Sequence, residues 1–218
     1  MSEEFLILSL VIVAIVIRLK PVDLVFRTFN TLTHELSHAI VAKLFRQKVE
    51  KIVINRDFSG SCTTKITDKR SMFFISLAGY IIPSVVGYAL VYLSLSNITS
   101  TTFYVFVVVS ALALIFFIGN SFGRVWTICF CALNLVFALV PIFSPIYNNI
   151  IYIYAIILLI ENLLSIITLI YITLSSPKTK TDARSLKQIT KIPSFFWSLL
   201  FFAVAFWFIV LSIRLLVK

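Results

Sequence analysis

The feature that most constrains the fold is a series of apolar runs, each about twenty residues long, separated by short polar segments. Five of them lie at residues 71–95, 102–119, 125–143, 150–174 and 195–213, and each is long enough for a helix to cross the hydrocarbon core of a bilayer. The chain of 218 residues is 60% hydrophobic and only 13% charged, with a mean hydropathy of +1.04. Since a soluble domain of this size has too little interior for that much apolar surface, a polytopic membrane protein is predicted.

Two further runs precede these five. Residues 5–17 form a short apolar run that ends at Arg18-Leu19-Lys20-Pro21, and we predict a short spanning or re-entrant helix there. Residues 24–45 form an amphipathic helical run. The expected fold class is therefore an all-α polytopic membrane protein with about six to seven transmembrane helices, organised as one membrane domain over residues 1–218.

Residues 49–67 interrupt the helical pattern. Residues 49–54 are predicted to form a strand, and the sequence Asp57-Phe58-Ser59-Gly60 is typical of a turn. Residues 62–65 then supply a return strand. We expect a small cytoplasmic β-hairpin, inserted into the otherwise helical domain and lying outside the membrane core.

The basic residues indicate the orientation of the chain. Of the 19 lysines and arginines, eight lie in residues 43–70, one in loop 120–124 and five in the basic linker 175–192. These segments share one predicted side, which the positive-inside rule assigns to the cytoplasm. Arg27 and Lys43 are expected to extend to the interfaces at the two ends of one helix. Because topology explains the net charge of +10, the expected partner is the lipid bilayer and not nucleic acid.

One sequence motif is typical of a catalytic metal site. His34-Glu35-Leu36-Ser37-His38 is an H-E-x-x-H sequence, and its two histidines are the only ones in the chain. On a helix, residues four apart are rotated by only about 40°, so both imidazoles can bind one zinc ion. The glutamate after the first histidine is the general base of such sites. A satisfied core histidine pair is the alternative, but a glutamate between two histidines inside a membrane is costly without a function. We predict a Zn²⁺ site with His34 and His38 as ligands and Glu35 as the catalytic residue.

The sequence resembles the site-2 protease superfamily of intramembrane zinc metalloproteases, and within it the bacterial peptidase M50B-like branch. The resemblance rests on the H-E-L-S-H motif on an early helix, the basic hairpin and Ala78-Gly79-Tyr80. Residues 119–123 correspond to an R-N-x-F-G stretch of that branch, with glycine in place of the arginine. Residues 181–197 follow its pattern S-D-A-x-x-L-x-x-x-T-x-x-P-x-x-x-W, with threonine in place of the serine. The resemblance implies cleavage of membrane-anchored protein or peptide substrates in the bacterial plasma membrane.

The third zinc ligand has two candidates. The best-characterised site-2 proteases take it from an Asp-Gly pair after N-x-x-P, a motif that this chain lacks. Asp182 belongs to the stretch that best resembles the family, although Asp182 or Thr181 is also a natural helix N-cap. Glu161 lies within an apolar run, either as a ligand or paired with a buried polar group such as a serine or asparagine. Asp182 is favoured, with Glu161 as the alternative.

Two other functions fit an apolar chain with this motif. A relative without protease activity retains the zinc site as a membrane scaffold or chaperone-like factor. A small transporter is the second alternative, but transporters tend to show repeated halves, and the sequence contains no repeat. The intact Glu35 favours the enzyme, because a zinc site without catalysis does not need that residue.

The charge asymmetry makes the topology testable. Cysteines placed at Ser61 and Thr179, in a chain whose three native cysteines are replaced by serine, should react with a membrane-impermeant maleimide only in inverted vesicles. A cysteine at Ser144, in a loop of the opposite predicted side, is the control and should react in intact cells. Labelling of both Ser61→Cys and Thr179→Cys from outside would contradict the orientation.

Overall fold

The computed structural model describes residues 12, 15–16, 18–20, 22–96, 99–176 and 179–217. The short helix predicted at residues 5–17 lies almost wholly outside these residues. The elements are α1 (Val22–Leu44), β1 (Lys48–Ile54), β2 (Gly60–Lys65), α2 (Lys69–Ser94), α3 (Thr99–Phe116), α4 (Ser121–Leu139), a 3-10 helix (Pro141–Ile146), α5 (Tyr147–Ser175), α6 (Asp182–Thr190) and α7 (Ser194–Val217). This helical architecture with one hairpin confirms the predicted fold class.

By length and composition, four of the described helical segments can cross a membrane. They are α2, α4, α5 together with the 3-10 helix before it, and α7. The apolar stretch of α3, residues 100–116, is shorter. Helix α1 has 23 residues but is less apolar, with Asp23 in its first turn and the exposed Lys43 in its last turn, where both charges complement the helix dipole. The number of membrane helices agrees roughly with the prediction.

Helix α2 is the centre of the packing, since it contacts α1, α5, α6 and α7. Pro83 lies inside it and cannot donate a backbone hydrogen bond. Beside that interruption, the amide of Asn162 on α5 donates to the carbonyl of Tyr80 at 3.0 Å and to the hydroxyl of Ser84 at 2.8 Å. Asn162 therefore fastens α5 to α2 where the hydrogen bonding of α2 is weakest.

An aromatic cluster joins α1 to the helices behind it. Phe29 of α1 stacks on Phe130 of α4 with ring centroids 5.3 Å apart, and it also contacts Phe106 of α3 and Tyr154 of α5. Aromatic pairs at such distances add to the stability that buried area provides. The cluster holds the first half of α1 in place from the side opposite α2.

The hairpin is an antiparallel pair in which Ile52 lies opposite Cys62 and Ile54 opposite Gly60. Its other neighbour is the segment 117–120, which follows α3. The N–H of Ile52 donates to the carbonyl of Phe117 at 2.7 Å, and the N–H of Gly119 donates to the carbonyl of Ile52 at 2.8 Å. These bonds close the outer edge of β1, so β2 is the strand with an unpaired edge among the described residues.

Asn120 closes the same edge with its side chain. Its Oδ1 accepts from the N–H of Ile54 at 3.1 Å, and its Nδ2 donates to the carbonyl of Ile54 at 2.6 Å. The side-chain amide of Asn120 thus makes the two hydrogen bonds that a residue of a neighbouring strand would make.

Asp57, predicted to lie in the turn, accepts hydrogen bonds from the hydroxyl and the backbone N–H of Ser59, and these bonds lower the pKa of its carboxyl.

Part of the region predicted as a basic linker, residues 175–192, forms the nine-residue helix α6. The hydroxyl of Thr181 caps it by accepting from the N–H of Arg184 at 3.4 Å. Ala183 and Leu186 are fully buried on one side of the helix, while Lys191 ends it in the left-handed conformation. The helix is therefore amphipathic and fixed to the membrane domain through its apolar face.

Candidate metal centre

His34 and His38 lie on the face of α1 that meets α2, and their Nε2 atoms are 3.1 Å apart. The Nδ1 atom of His38 is 2.7 Å from the carbonyl oxygen of Ile75 on α2. Since a carbonyl can only accept, Nδ1 carries a proton, and in the neutral imidazole Nε2 is then the atom with the lone pair. A hydrogen bond of this kind orients a histidine for metal binding.

Gly79 lets both imidazoles lie against the backbone of α2. A Cβ atom at this position would be 2.5 Å from Cε1 of His34 and 2.6 Å from Nε2 of His38, closer than real Cβ contacts allow. The next residue, Tyr80, packs its ring edge-on against His34 with centroids 4.6 Å apart. The backbone of α2 is therefore one wall of the site, and only glycine fits there.

Asp182 is the first residue of α6, and its Oδ2 lies 3.4 Å from Nε2 of both His34 and His38. Because Thr181 caps the helix, the carboxylate of Asp182 is free to face the imidazoles. Desolvation of Asp182 raises its pKa, but its electrostatic attraction and hydrogen bonds to the imidazoles outweigh this and lower it. The carboxyl group is thus ionised, as a metal ligand requires.

The C-terminal end of α5 and the start of α7 hold α6 in place. The guanidinium of Arg184 donates to the carbonyl of Ile172, at the end of α5, at 3.1 Å and also to the carbonyl of Thr179. The indole N–H of Trp197 on α7 donates to the hydroxyl of Thr190 at 3.2 Å. These contacts fix both ends of the helix that carries Asp182.

The distances between the three side chains fit a zinc ion. Ligand atoms about 2.0–2.1 Å from a tetrahedral zinc are about 3.3–3.4 Å from one another. The observed separations are 3.1 Å between His34 and His38 and 3.4 Å from each of them to Asp182. The two imidazole nitrogens and the carboxylate oxygen surround one point, where a cation would be attracted to all three. Among the described residues this is the one group of three such side chains with metal-site spacing.

Glu35 lies beside this group on the hairpin side of α1 and is only 6% exposed. A Cβ atom at Gly60 of β2 would be 2.7 Å from its Oε1, so glycine is needed for the strand to come this close. The backbone N–H of Cys62 faces the same carboxylate. Glu35 therefore lies between the three side chains and strand β2.

The unpaired edge of β2 also faces this site. The N–H and the C=O of Ile52 are both bonded to residues 117–119, so Cys62, which lies opposite, cannot exchange hydrogen bonds with it. The backbone groups of Cys62 consequently point away from β1. The same holds for Gly60 opposite Ile54, whose backbone groups are taken by Asn120. Of these outward groups, the N–H of Cys62 faces Glu35, while the carbonyl of Cys62 and both groups of Gly60 have no backbone partner among the described residues.

Glu161, the alternative ligand, lies in a different network. Its carboxylate, 3% exposed on α5, is 2.9 Å from the guanidinium of Arg18 and 3.7 Å from Nε of Arg27. Its partners are arginines and not the serine or asparagine that the sequence suggested. Arg27 was expected to extend to an interface, but it points to Glu161 because a buried acid in an apolar helix needs a cation.

Four residues that shape the site were not among the site residues predicted from the sequence. Ile75 acts through its backbone carbonyl, and Cys62 acts through its N–H, so neither side chain gives a sequence signal. Gly79 and Gly60 act through the absence of a side chain. With 5 glycines in 218 residues, each glycine was a place to expect close backbone approach, which is the signal that could have found these two.

The chain was compared with known proteins. A family model described as Peptidase M50B-like matches residues 7–212, and this range includes the histidines, Glu35 and Asp182. A search of curated proteins and a search of solved structures each gave no match. Because the match extends over nearly the whole chain, this protein belongs to the Peptidase M50B-like family, the branch of the site-2 protease superfamily that its sequence resembles.

Proposed function

We propose that the protein is an intramembrane zinc metalloprotease that hydrolyses peptide bonds of membrane-anchored substrates. The observation that carries this proposal is the meeting of His34, His38 and Asp182 at the spacing of a tetrahedral site, with Glu35 between them and an unpaired strand edge. Membership of a peptidase family of membrane proteins supports it.

In this proposal His34, His38 and Asp182 hold the zinc ion, with the carbonyl of Ile75 orienting His38. The ion supplies Lewis-acid chemistry, which polarises a substrate carbonyl and makes a water molecule more acidic. The chain supplies the arrangement of the ligands: the backbone of α2 at Gly79 sets how closely the imidazoles approach, and α6 presents the carboxylate.

Glu35 is the proton carrier. Its carboxylate takes the proton from the attacking water and delivers it to the nitrogen of the leaving amine, so one group serves as base and then as acid. Its position beside Gly60 and Cys62 of β2 places it within reach of a peptide bound at that strand. The low exposure of Glu35 limits its contact with bulk water.

The substrate is proposed to bind by strand addition. The N–H and C=O of Gly60 and the C=O of Cys62 point away from β1 and can pair with an extended segment of another chain, next to the N–H of Cys62 that faces Glu35. A transmembrane helix satisfies its own backbone groups, so the substrate has to unwind locally before it can pair. The closed edge of β1, blocked by Asn120, leaves β2 as the strand that can accept it.

The residues that meet at the site also indicate which segments of the chain lie on the same side of the membrane. The hairpin lies within residues 43–70 and Asp182 lies within residues 175–192, and both reach the same region of α1. This supports placing the two basic segments on one side. With the positive-inside rule, we assign that side to the cytoplasm of a bacterial plasma membrane.

Metal content tests the ligands. The purified protein should contain about one zinc ion per chain by mass spectrometry of the metal, because three ligands converge on one point. His34→Ala, His38→Ala and Asp182→Ala should each lose most of it, while Glu35→Gln should keep it. Glu161→Gln is the matched control and should also keep its zinc. Full retention in the double histidine variant would refute the site, and full retention in Asp182→Ala would remove that residue from it.

Gly79→Ala tests the geometry of the site without removing a ligand. The added Cβ should displace both imidazoles and lower zinc affinity by at least about ten-fold, since even the loss of a hydrogen-bond partner that orients a metal ligand weakens binding by about 10–100-fold. Gly87→Ala is the control on the same helix: its Cβ would lie 2.7 Å from Leu159, so it should lower stability yet leave zinc in the folded protein. Equal zinc affinity of the two variants, measured by competition with a chelator, would contradict this geometry.

Activity tests the enzyme. Fluorescein-labelled casein, an unfolded protein that offers extended segments, should be cleaved by the wild-type protein in detergent micelles. Glu35→Gln should lower the rate by about 10²–10⁴-fold, the usual contribution of general acid–base catalysis. Zinc chelation should abolish cleavage and added zinc should restore it. Cleavage by Glu35→Gln at the wild-type rate would exclude the mechanism, and a zinc-loaded protein that cleaves nothing would favour the scaffold function.

A further inference from the structure

Two costly features that the proposed chemistry does not use meet at Arg27. The first is the buried carboxylate of Glu161, 3.7 Å from its Nε. The second is Phe58, whose ring centroid lies 3.9 Å from the guanidinium carbon. Phe58 has a φ of 67°, in the left-handed region that residues with large side chains rarely adopt. An acid in an apolar helix and an aromatic residue in this conformation both persist only where other contacts require them.

The backbone of the turn does not favour a phenylalanine at position 58. The N–H of Asn55 donates to the carbonyl of Ser59 at 2.9 Å, and the N–H of Phe58 donates to the carbonyl of Asn55 at 3.1 Å. In such short hairpin loops the left-handed position is usually glycine. A phenylalanine there makes the turn less favourable, and the contact that its side chain makes with the guanidinium of Arg27 offsets this cost.

The same contact fixes the strand that faces Glu35. Thr31, one helical turn after Arg27, donates its hydroxyl to the carbonyl of Phe58 at 2.8 Å. Gly60, two residues after Phe58, lies against both Thr31 and Glu35. Phe58 and Gly60 therefore contact successive turns of α1, the first at Arg27 and Thr31 and the second at Thr31 and Glu35.

We propose that Arg27 is a positioning residue: held by Glu161 and stacked on Phe58, it keeps the free edge of β2 beside Glu35. A planar guanidinium suits both tasks, since its face stacks on a ring while its edge pairs with a carboxylate. The effect on cleavage rests on the proposed function, whereas the docking of the hairpin can be measured without any activity.

Arg18 and Arg56 have different roles. Arg18 shares Glu161 with Arg27 but does not touch the hairpin in the contacts of the described residues. Arg56 belongs to the same turn, and its guanidinium lies 5.8 Å from the ring of Phe122, well beyond the 3.9 Å of the Arg27–Phe58 pair. Arg56 is therefore the matched control: its replacement removes a charge and a more distant ring contact from the turn but keeps the contact of Phe58 with α1.

Cys62 reports on the docking. Its side chain lies on the same face of β2 as the Cβ position of Gly60, which points at α1, and it is only partly exposed. With Cys129 and Cys131 replaced by serine, Cys62 is the one thiol of the chain. Its rate of alkylation by iodoacetamide in detergent therefore measures how firmly β2 lies on α1.

Arg27→Gln and Phe58→Leu should each raise the alkylation rate of Cys62 by about three-fold or more, the order expected for loss of a cation–π contact. The double variant should add little to the larger single effect, because both changes remove one interaction. Phe58→Tyr should restore protection, and Arg56→Gln should leave the rate unchanged. The zinc content should stay at the wild-type value in all of them, and KM for casein should rise with the alkylation rate.

Phe58→Gly separates the anchor from the turn. Glycine relieves the left-handed backbone, so a purely structural role of Phe58 predicts a firmer hairpin and slower alkylation. The positioning role predicts faster alkylation, because the ring is gone. Slower or unchanged alkylation in Phe58→Gly would overturn the proposal, as would an unchanged rate in both Arg27→Gln and Phe58→Leu. A wild-type protein without protease activity would refute the proposed function and leave the Cys62 result standing.

Discussion

The close approach of α1 to α2 at Gly79 is the contact on which the site depends. Because no side chain stands at this position, both imidazoles lie against the backbone of α2, and His38 reaches the carbonyl of Ile75. Helix α2 also contacts α5, α6 and α7, so the same helix that receives the histidines sets the position of Asp182. The relative positions of the two imidazoles and the carboxylate are therefore a consequence of helix packing.

Charged groups inside an apolar domain need partners, and this requirement organises the rest of α1. Glu161 on α5 is matched by two arginines, while Glu35 lies against Gly60 of the hairpin and faces the N–H of Cys62. Arg27 connects α5 to the hairpin, since it pairs with Glu161 on α5 and stacks on Phe58 of the hairpin turn. A short strand pair is thus attached to α1 through this stacking contact and through the hydrogen bond of Thr31 to the carbonyl of Phe58.

The two edges of the hairpin differ in their backbone hydrogen bonding. Residues 117–119 and the side chain of Asn120 occupy outward backbone groups of β1, while on β2 the N–H of Cys62 faces Glu35 and the outward groups of Gly60 have no backbone partner among the described residues. An unpaired strand edge is a liability in most proteins because it invites pairing with another chain. In a protease of membrane substrates the same property is useful, provided that the edge lies where cleavage occurs. In the structure this edge lies next to Glu35.

The sequence by itself determined the class of fold, the hairpin and the histidine motif, because each depends on local spacing: apolar runs of spanning length, a turn between two short strands, and histidines one helical turn apart. It left Asp182 and Glu161 as alternatives, since both lie far along the chain from the histidines and local rules do not say which one returns to them. Only the tertiary structure brought Asp182 to the imidazoles and Glu161 to the arginines. The physical reason is that helix packing, decided at Gly79 and along α2, sets these distances, and packing is a property of several segments together.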